Sequence, residues 1–83
     1  MKRKFDPVRV DFHEDHLWVT LADGRVIQAP LSEIDWLRDA TPEQRQNYTL
    51  LDSAILWDEL DDGFDTEEMT RMFHVIEANV DPA

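Results

Sequence analysis

The sequence predicts a single small α+β domain that begins with an antiparallel sheet and continues with short helices. Two patterns carry this prediction. Between Val8 and Ala29, apolar and polar residues alternate with period two, and turn residues interrupt them at hairpin spacing. After Pro30, capping residues precede apolar residues spaced three and four positions apart, which is typical of amphipathic helices. A chain of 83 residues suits one hydrophobic core, and we expect residues 1–6 to form a flexible tip.

Three strands are expected in the first segment, joined as an antiparallel meander. Each presents apolar residues at every second position and ends in a polar or glycine-containing turn. We place the strands at residues 8–12, 17–21 and 25–29, and the turns at residues 13–16 and 23–24.

The second turn sets the register of the meander. Asp23-Gly24 favours a two-residue type I′ loop because both residues tolerate a positive φ. Such a loop places Leu21 opposite Val26, so that Ile27 lies on the other face from both. The sheet would then be apolar on both faces. Its second face needs a cover, which we expect to be the C-terminal helix, a partner or a second copy of the chain.

Capping residues predict two short helices in the middle of the chain. Ser32 suits an N-cap for a helix over residues 33–39. Thr41 followed by Pro42 starts the next helical turn. Residues 47–57 are then rich in Tyr, Leu, Ile and Trp, which predicts one or two further short strands.

The last predicted element is a C-terminal amphipathic helix from Thr66 to Asn79. Asp65 provides the N-cap, and Glu68 stands at the third helical position. Apolar residues follow at helical spacing, at Met69, Met72, Phe73, Ile76 and Val80.

Charge is the strongest functional clue. The formal net charge is −11, from 19 acidic and 8 basic residues. No lysine or arginine stands between Arg45 and Arg71, whereas eight carboxylates do. Such a surface repels nucleic acid and attracts a basic protein partner. The chain has no cysteine and no long apolar run, so we expect a soluble, cytoplasmic protein. A homodimer stays open, because small domains often gain stability from a second subunit.

One segment combines an aromatic residue with this charge. Trp57 precedes a run of acids, and an aromatic anchor surrounded by charges is a common arrangement at protein interfaces. The sequence therefore predicts a partner-binding site. Its residues are Trp57, Asp58, Glu59, Asp61, Asp62 and Asp65. In the alternative interpretation, Trp57 and Leu60 fill the core while the acids face water.

No motif predicts catalysis, a cofactor or a metal. His13 and His16 flank two carboxylates, but residues three apart in a strand point to opposite faces, so the pair could converge only if the turn folds sharply, and the sequence specifies no third ligand. Around Gly63 the acid density is that of a calcium loop, but Leu60 and Met69 occupy positions that need oxygen ligands. We therefore expect a protein that is not an enzyme.

Several blocks of the sequence point to a known family. They are Leu17–Ile27, Pro30–Ser32, Ala40–Arg45, Tyr48 and Trp57–Asp62. Together they resemble the bacterial family called domain of unknown function 2442, over about Val8 to Met69. The resemblance implies a small α+β domain without established catalytic residues. Because many members are encoded beside a small toxin-like gene, it also implies an antitoxin-like or regulatory role.

A second function fits the same composition. A phage-encoded inhibitor can imitate nucleic-acid phosphates with its carboxylates and occupy the basic groove of a nuclease or a CRISPR-type defence complex. Both hypotheses use the same acidic surface, and they differ in the partner.

Overall fold

The computed structural model of the chain describes residues 2–77. These residues form antiparallel sheets and short helices, which confirms the α+β class. The strands are β1 (Pro7–His13), β2 (His16–Leu21), β3 (Val26–Pro30), β4 (Thr49–Leu51), β5 (Ala54–Trp57), β6 (Asp62–Asp65) and β7 (His74–Ile76). The helices are α1 (Asp35–Arg38), α2 (Pro42–Gln46) and α3 (Thr66–Met72), with 3₁₀ turns at Leu31–Glu33 and Asp58–Leu60. No helix within residues 2–77 is long and apolar enough to cross a membrane.

The first sheet has the order β1-β2-β3-β7, and every neighbouring pair is antiparallel. Its inner face carries the side chains that alternation predicts for a half-buried sheet. These are Leu17, Val19, Leu21, Ile27 and Ala29, all buried. With Val10, this face contributes half of the buried core. The central helical segment adds Leu31, Ile34 and Leu37, and the second sheet and α3 add Ile55, Trp57 and Met69.

The β2–β3 hairpin differs from the predicted register by one residue. The Leu21 amide donates to the Arg25 carbonyl at 2.8 Å, and Val19 stands opposite Ile27. The loop therefore has three residues, with Gly24 at φ 95°. Because Ile27 shares the inner face with Val19, the expected second apolar face does not exist. The longer loop is favoured by the Asp23 carboxylate, which accepts from the Arg25 backbone at 3.1 Å and from its guanidinium at 2.7 Å.

The central helices are close to their predicted positions. Thr41 and Gln44 form a reciprocal capping box at the start of α2, with bonds of 3.1 and 2.9 Å. Ser32 makes no capping bond, because it lies inside the first 3₁₀ turn and α1 begins only at Asp35.

The second sheet has the order β4-β5-β6, again antiparallel. Strand β6 was not predicted, because Asp and Gly are depleted in strands. Gly63 is what allows it to pair: a Cβ at this position would collide with the Ile55 carbonyl oxygen and lie 3.2 Å from the Leu56 Cα.

The C-terminal helix is shorter than predicted. Helix α3 ends at Met72, Phe73 is extended, and β7 then pairs with β3. The prediction of helix was wrong for residues 73–77, and its remaining positions, 78 and 79, lie outside the described residues. Aromatic and β-branched residues from Phe73 to Ile76 suit a strand as well as a helix, and β3 offers a free edge.

The segment before β1 is anchored rather than free at its end. Asp6 is only 5% exposed, and its carboxylate accepts from the Arg3 and Ser53 backbone amides, both at 2.9 Å. The carbonyl of Phe5 accepts from the Thr66 hydroxyl. Phe5 and Asp6, which the sequence analysis assigns to a flexible tip, thus make hydrogen bonds to the rest of the described chain.

Candidate protein-binding surface

Trp57 lies in the core and not on the surface. It is 0% exposed, and its indole N–H donates to the Arg45 carbonyl at 3.0 Å. Its ring lies 5.5 Å from that of Trp36 and 6.0 Å from that of Tyr48. Alternation along β5 directs Ile55 and Trp57 inward. The interpretation that Trp57 fills the core is the one the structure supports, so Trp57 is removed from the candidate contact residues.

The five acids that follow Trp57 are all exposed. We call them the acidic segment: Asp58, Glu59, Asp61, Asp62 and Asp65. They occupy the second 3₁₀ turn, a single left-handed residue and the two ends of β6. None of the five forms an ion pair with another residue between 2 and 77. These five carboxylates thus lie within eight consecutive residues, and no cation of the described chain pairs with any of them.

Local hydrogen bonds orient part of the acidic segment. Glu59 accepts from the side-chain amides of Gln44 at 3.3 Å and Asn47 at 3.5 Å, which fastens it to α2. Asp62 accepts from the Gly63 amide at 2.8 Å, and Asp65 caps α3 by accepting from the Glu68 amide at 3.1 Å. Each carboxylate keeps further acceptor capacity toward solvent. Hydrogen bonds to the folded chain therefore orient three of the five carboxylates, those of Glu59, Asp62 and Asp65.

An open depression adjoins Glu59. It has a volume of about 580 Å³ and lies between α2 and the second 3₁₀ turn. Its lining residues are Pro42, Glu43, Gln46, Asn47 and Glu59. This lining supplies hydrogen-bond acceptors and negative charge, and it contains no nucleophile paired with a base.

Two of the three histidines face each other across the β1–β2 turn. His13 and His16 are a cross-strand pair at the β1–β2 turn, which folds sharply enough to place both on one face of the sheet. The His13 ring stacks on Trp18 at 4.6 Å, and His16 Nδ1 lies 2.6 Å from the Glu14 carbonyl. Within residues 2–77, no three His, Asp or Glu side chains are close enough to hold one ion.

Sequence reasoning missed an apolar surface on the second sheet. The inward side chains of β5 are Ile55 and Trp57, so Ala54 and Leu56 point outward. On β4 the outward side chain beside them is Leu51, which is 46% exposed. The signal was present as alternation along residues 54–57, but the pairing with β4 and β6 was needed to interpret it.

Comparison with known proteins gives one match. The profile of a family described as protein of unknown function, DUF2442, matches residues 7–74. No curated protein and no solved structure matches the chain. The family match covers far more than half of the sequence and includes every strand and helix described above except the end of β7. The chain therefore belongs to the DUF2442 family.

Proposed function

We propose that the protein is a non-enzymatic binding module that recognises a basic protein partner through the acidic segment. The observation that carries this proposal is the set of five exposed carboxylates without a cationic partner in the described chain. Unpaired charges of one sign on a surface attract a complementary partner and accelerate its association.

In the cell, we propose an antitoxin-like or regulatory role for this binding. Support comes from the resemblance to a family whose members are often encoded beside a toxin-like gene. The partner would be a protein with an exposed basic surface. The rival role is inhibition of a nuclease or CRISPR-type complex by imitation of nucleic-acid phosphates.

The first experiment is co-expression of the protein with the product of its neighbouring gene. The proposal expects a stable complex and relief of any growth defect that the neighbour causes. Three acids, Asp58, Asp61 and Asp62, are then replaced by asparagine, which should weaken the complex. A control with the same change in net charge replaces Glu14 and Glu33 by glutamine and Asp15 by asparagine, all exposed and outside the acidic segment. Equal effects of the two variants would contradict a role for this segment.

Competition separates the two roles. If the partner uses a nucleic-acid groove to bind the acidic segment, added duplex DNA or guide RNA displaces the protein. If the partner uses another face, nucleic acid leaves the complex intact. The second result supports the antitoxin-like role, and the first supports mimicry.

A further inference from the structure

The outer face of the second sheet is small, apolar and uncovered. Register places Leu56 between Thr49 and Gly63, and Ala54 between Leu51 and Asp65. We call this the outer face, formed by Thr49, Leu51, Ala54, Leu56, Gly63 and Asp65. Leu56 is half-buried but does not pack against the core cluster, and Leu51 is 46% exposed.

One acid lies on this face, and two more follow the strands that form it. Asp65 belongs to it, directly opposite Ala54. Asp52 follows Leu51 in the β4–β5 turn, and Asp58 follows the end of β5; both are exposed and neither forms an ion pair within residues 2–77. The face therefore has an apolar centre and a negative edge.

A depression extends the face toward α3. Its volume is about 170 Å³. Its lining residues are Gly63, Phe64, Asp65, Glu68 and Met72. Two carboxylates thus stand beside apolar walls, an arrangement that accommodates both parts of a lysine or arginine side chain: an aliphatic stem and a cationic head.

We propose that the outer face is the docking surface for a basic segment of the partner protein, in which apolar side chains alternate with or are flanked by lysine or arginine. The apolar side chains cover Leu51 and Leu56, and the cations meet Asp52, Asp58 and Asp65. This inference rests on the proposed function and names the apolar anchor that Trp57, being buried, cannot supply.

The negative charge around the outer face favours a basic protein segment over two other possible occupants, a second copy of the chain and a membrane. A second copy of the chain would bring another net charge of −11 against the same acidic edge, and like charges placed together disfavour association. An anionic membrane surface is repelled for the same reason. A cationic segment gains attraction at the edge and burial of apolar area at the centre.

Two synthetic peptides test the proposal on the full-length, ¹⁵N-labelled protein at low ionic strength. The first is a blocked hexapeptide of alternating lysine and valine, and the second replaces each valine with serine, so the charge is the same. We expect the lysine–valine peptide to bind about five- to tenfold more tightly, because only it covers apolar area. Its amide shifts should centre on residues 49–51, 54–56 and 63–65.

Variants assign the difference to the outer face. The double change Leu51→Thr and Leu56→Thr keeps strand-compatible residues and should abolish the preference for the lysine–valine peptide. Ile76→Thr is the matched control, since Ile76 is also exposed, at 41%, but lies on the first sheet. The Ile76→Thr variant should keep the preference for the lysine–valine peptide.

The outcomes separate this inference from the proposed function. Equal affinities for the two peptides, or shifts of the unmodified protein that avoid the outer face, overturn the docking surface and leave the acidic segment as a binder of charge alone. Absence of binding by both peptides contradicts both proposals. If the double variant fails to fold, the amide shifts of the unmodified protein still show whether the peptide binds at the outer face.

Discussion

At the scale of single residues, Asp6 shows how one carboxylate ties distant parts of the chain together. It accepts hydrogen bonds from the backbone of Arg3 and from the backbone and hydroxyl of Ser53. These bonds, that of the Arg3 amide above all, hold the pKa of Asp6 below its ordinary value despite the opposing effect of burial. The charged carboxylate therefore stabilises the folded state.

The change Asp6→Asn tests this role through pH. Because the pKa is lower in the folded state, the stabilisation is present above the unfolded pKa of about 3.9 and is lost as pH falls through the folded value. We expect the variant to be less stable than the parent at pH 7, and the difference to shrink at acidic pH. Urea denaturation at a series of pH values measures it. A difference that stays constant across the series would contradict the account.

Trp57→Phe separates a core role from a surface role. Loss of the indole leaves a small cavity and removes the donor to the Arg45 carbonyl, so we expect the free energy of unfolding to fall by about 2 kcal/mol. Binding of the partner should be unchanged in the folded variant, because Trp57 is fully buried. Denaturation followed by circular dichroism measures the first effect, and a binding assay the second. Weaker binding of the partner with an unchanged free energy of unfolding would show that Trp57 acts at the binding surface and not in the core.

At the scale of elements, local sequence patterns predicted some of the strands and helices and missed others. Alternation located the first three strands, and the Thr41 capping pattern located α2. Two features depended on pairing that no local pattern contains. Strand β6 exists because Gly63 admits the Ile55 carbonyl, and β7 exists because β3 has a free edge. The sequence alone identified the acids of the candidate site. The burial of Trp57 could be recognised only from the pairing register of β5.

The β1–β2 turn predicts a stabilising change. Glu14 and Asp15 both have positive φ, at 54° and 59°, so two residues with a Cβ occupy the left-handed conformation of a two-residue hairpin loop. Glu14→Asn with Asp15→Gly places the preferred pair there, and we expect a gain of about 1 kcal/mol in the free energy of unfolding. Chemical denaturation checks it. A loss of stability would mean that the original side chains hold the turn.

Gly63→Ala tests the pairing of β6. The added methyl would meet the Ile55 carbonyl oxygen, and the strands must separate or shift, at a cost of about 2–3 kcal/mol. Thermal unfolding measures the loss, and faster amide exchange at residues 62–65 locates it. Normal protection of these amides would show that the backbone accommodates the methyl group.

At the scale of the whole molecule, charge is distributed unevenly. The outward side of the first sheet carries histidines, Gln28 and Trp18, and its Arg9 and Asp11 form an ion pair at 2.8 Å. The acidic segment and the acidic edge of the outer face lie at the second sheet and its connections. If the protein binds a basic partner as proposed, we expect the partner to approach from the side of the second sheet. Because exposed charges act mainly on the rate of encounter, their signature is kinetic and sensitive to salt.

The association rate constant with the co-expressed partner, measured by stopped flow against ionic strength, tests this claim most directly. We predict at least a tenfold fall in the rate constant between about 0.02 M and about 0.5 M salt. The variant with asparagine at Asp58, Asp61 and Asp62 should associate more slowly at low salt, and its rate constant should depend less on salt concentration. The control variant, changed at Glu14, Asp15 and Glu33, should keep the steep salt dependence of the parent protein. Identical salt dependence for the parent protein and both variants would contradict the central claim.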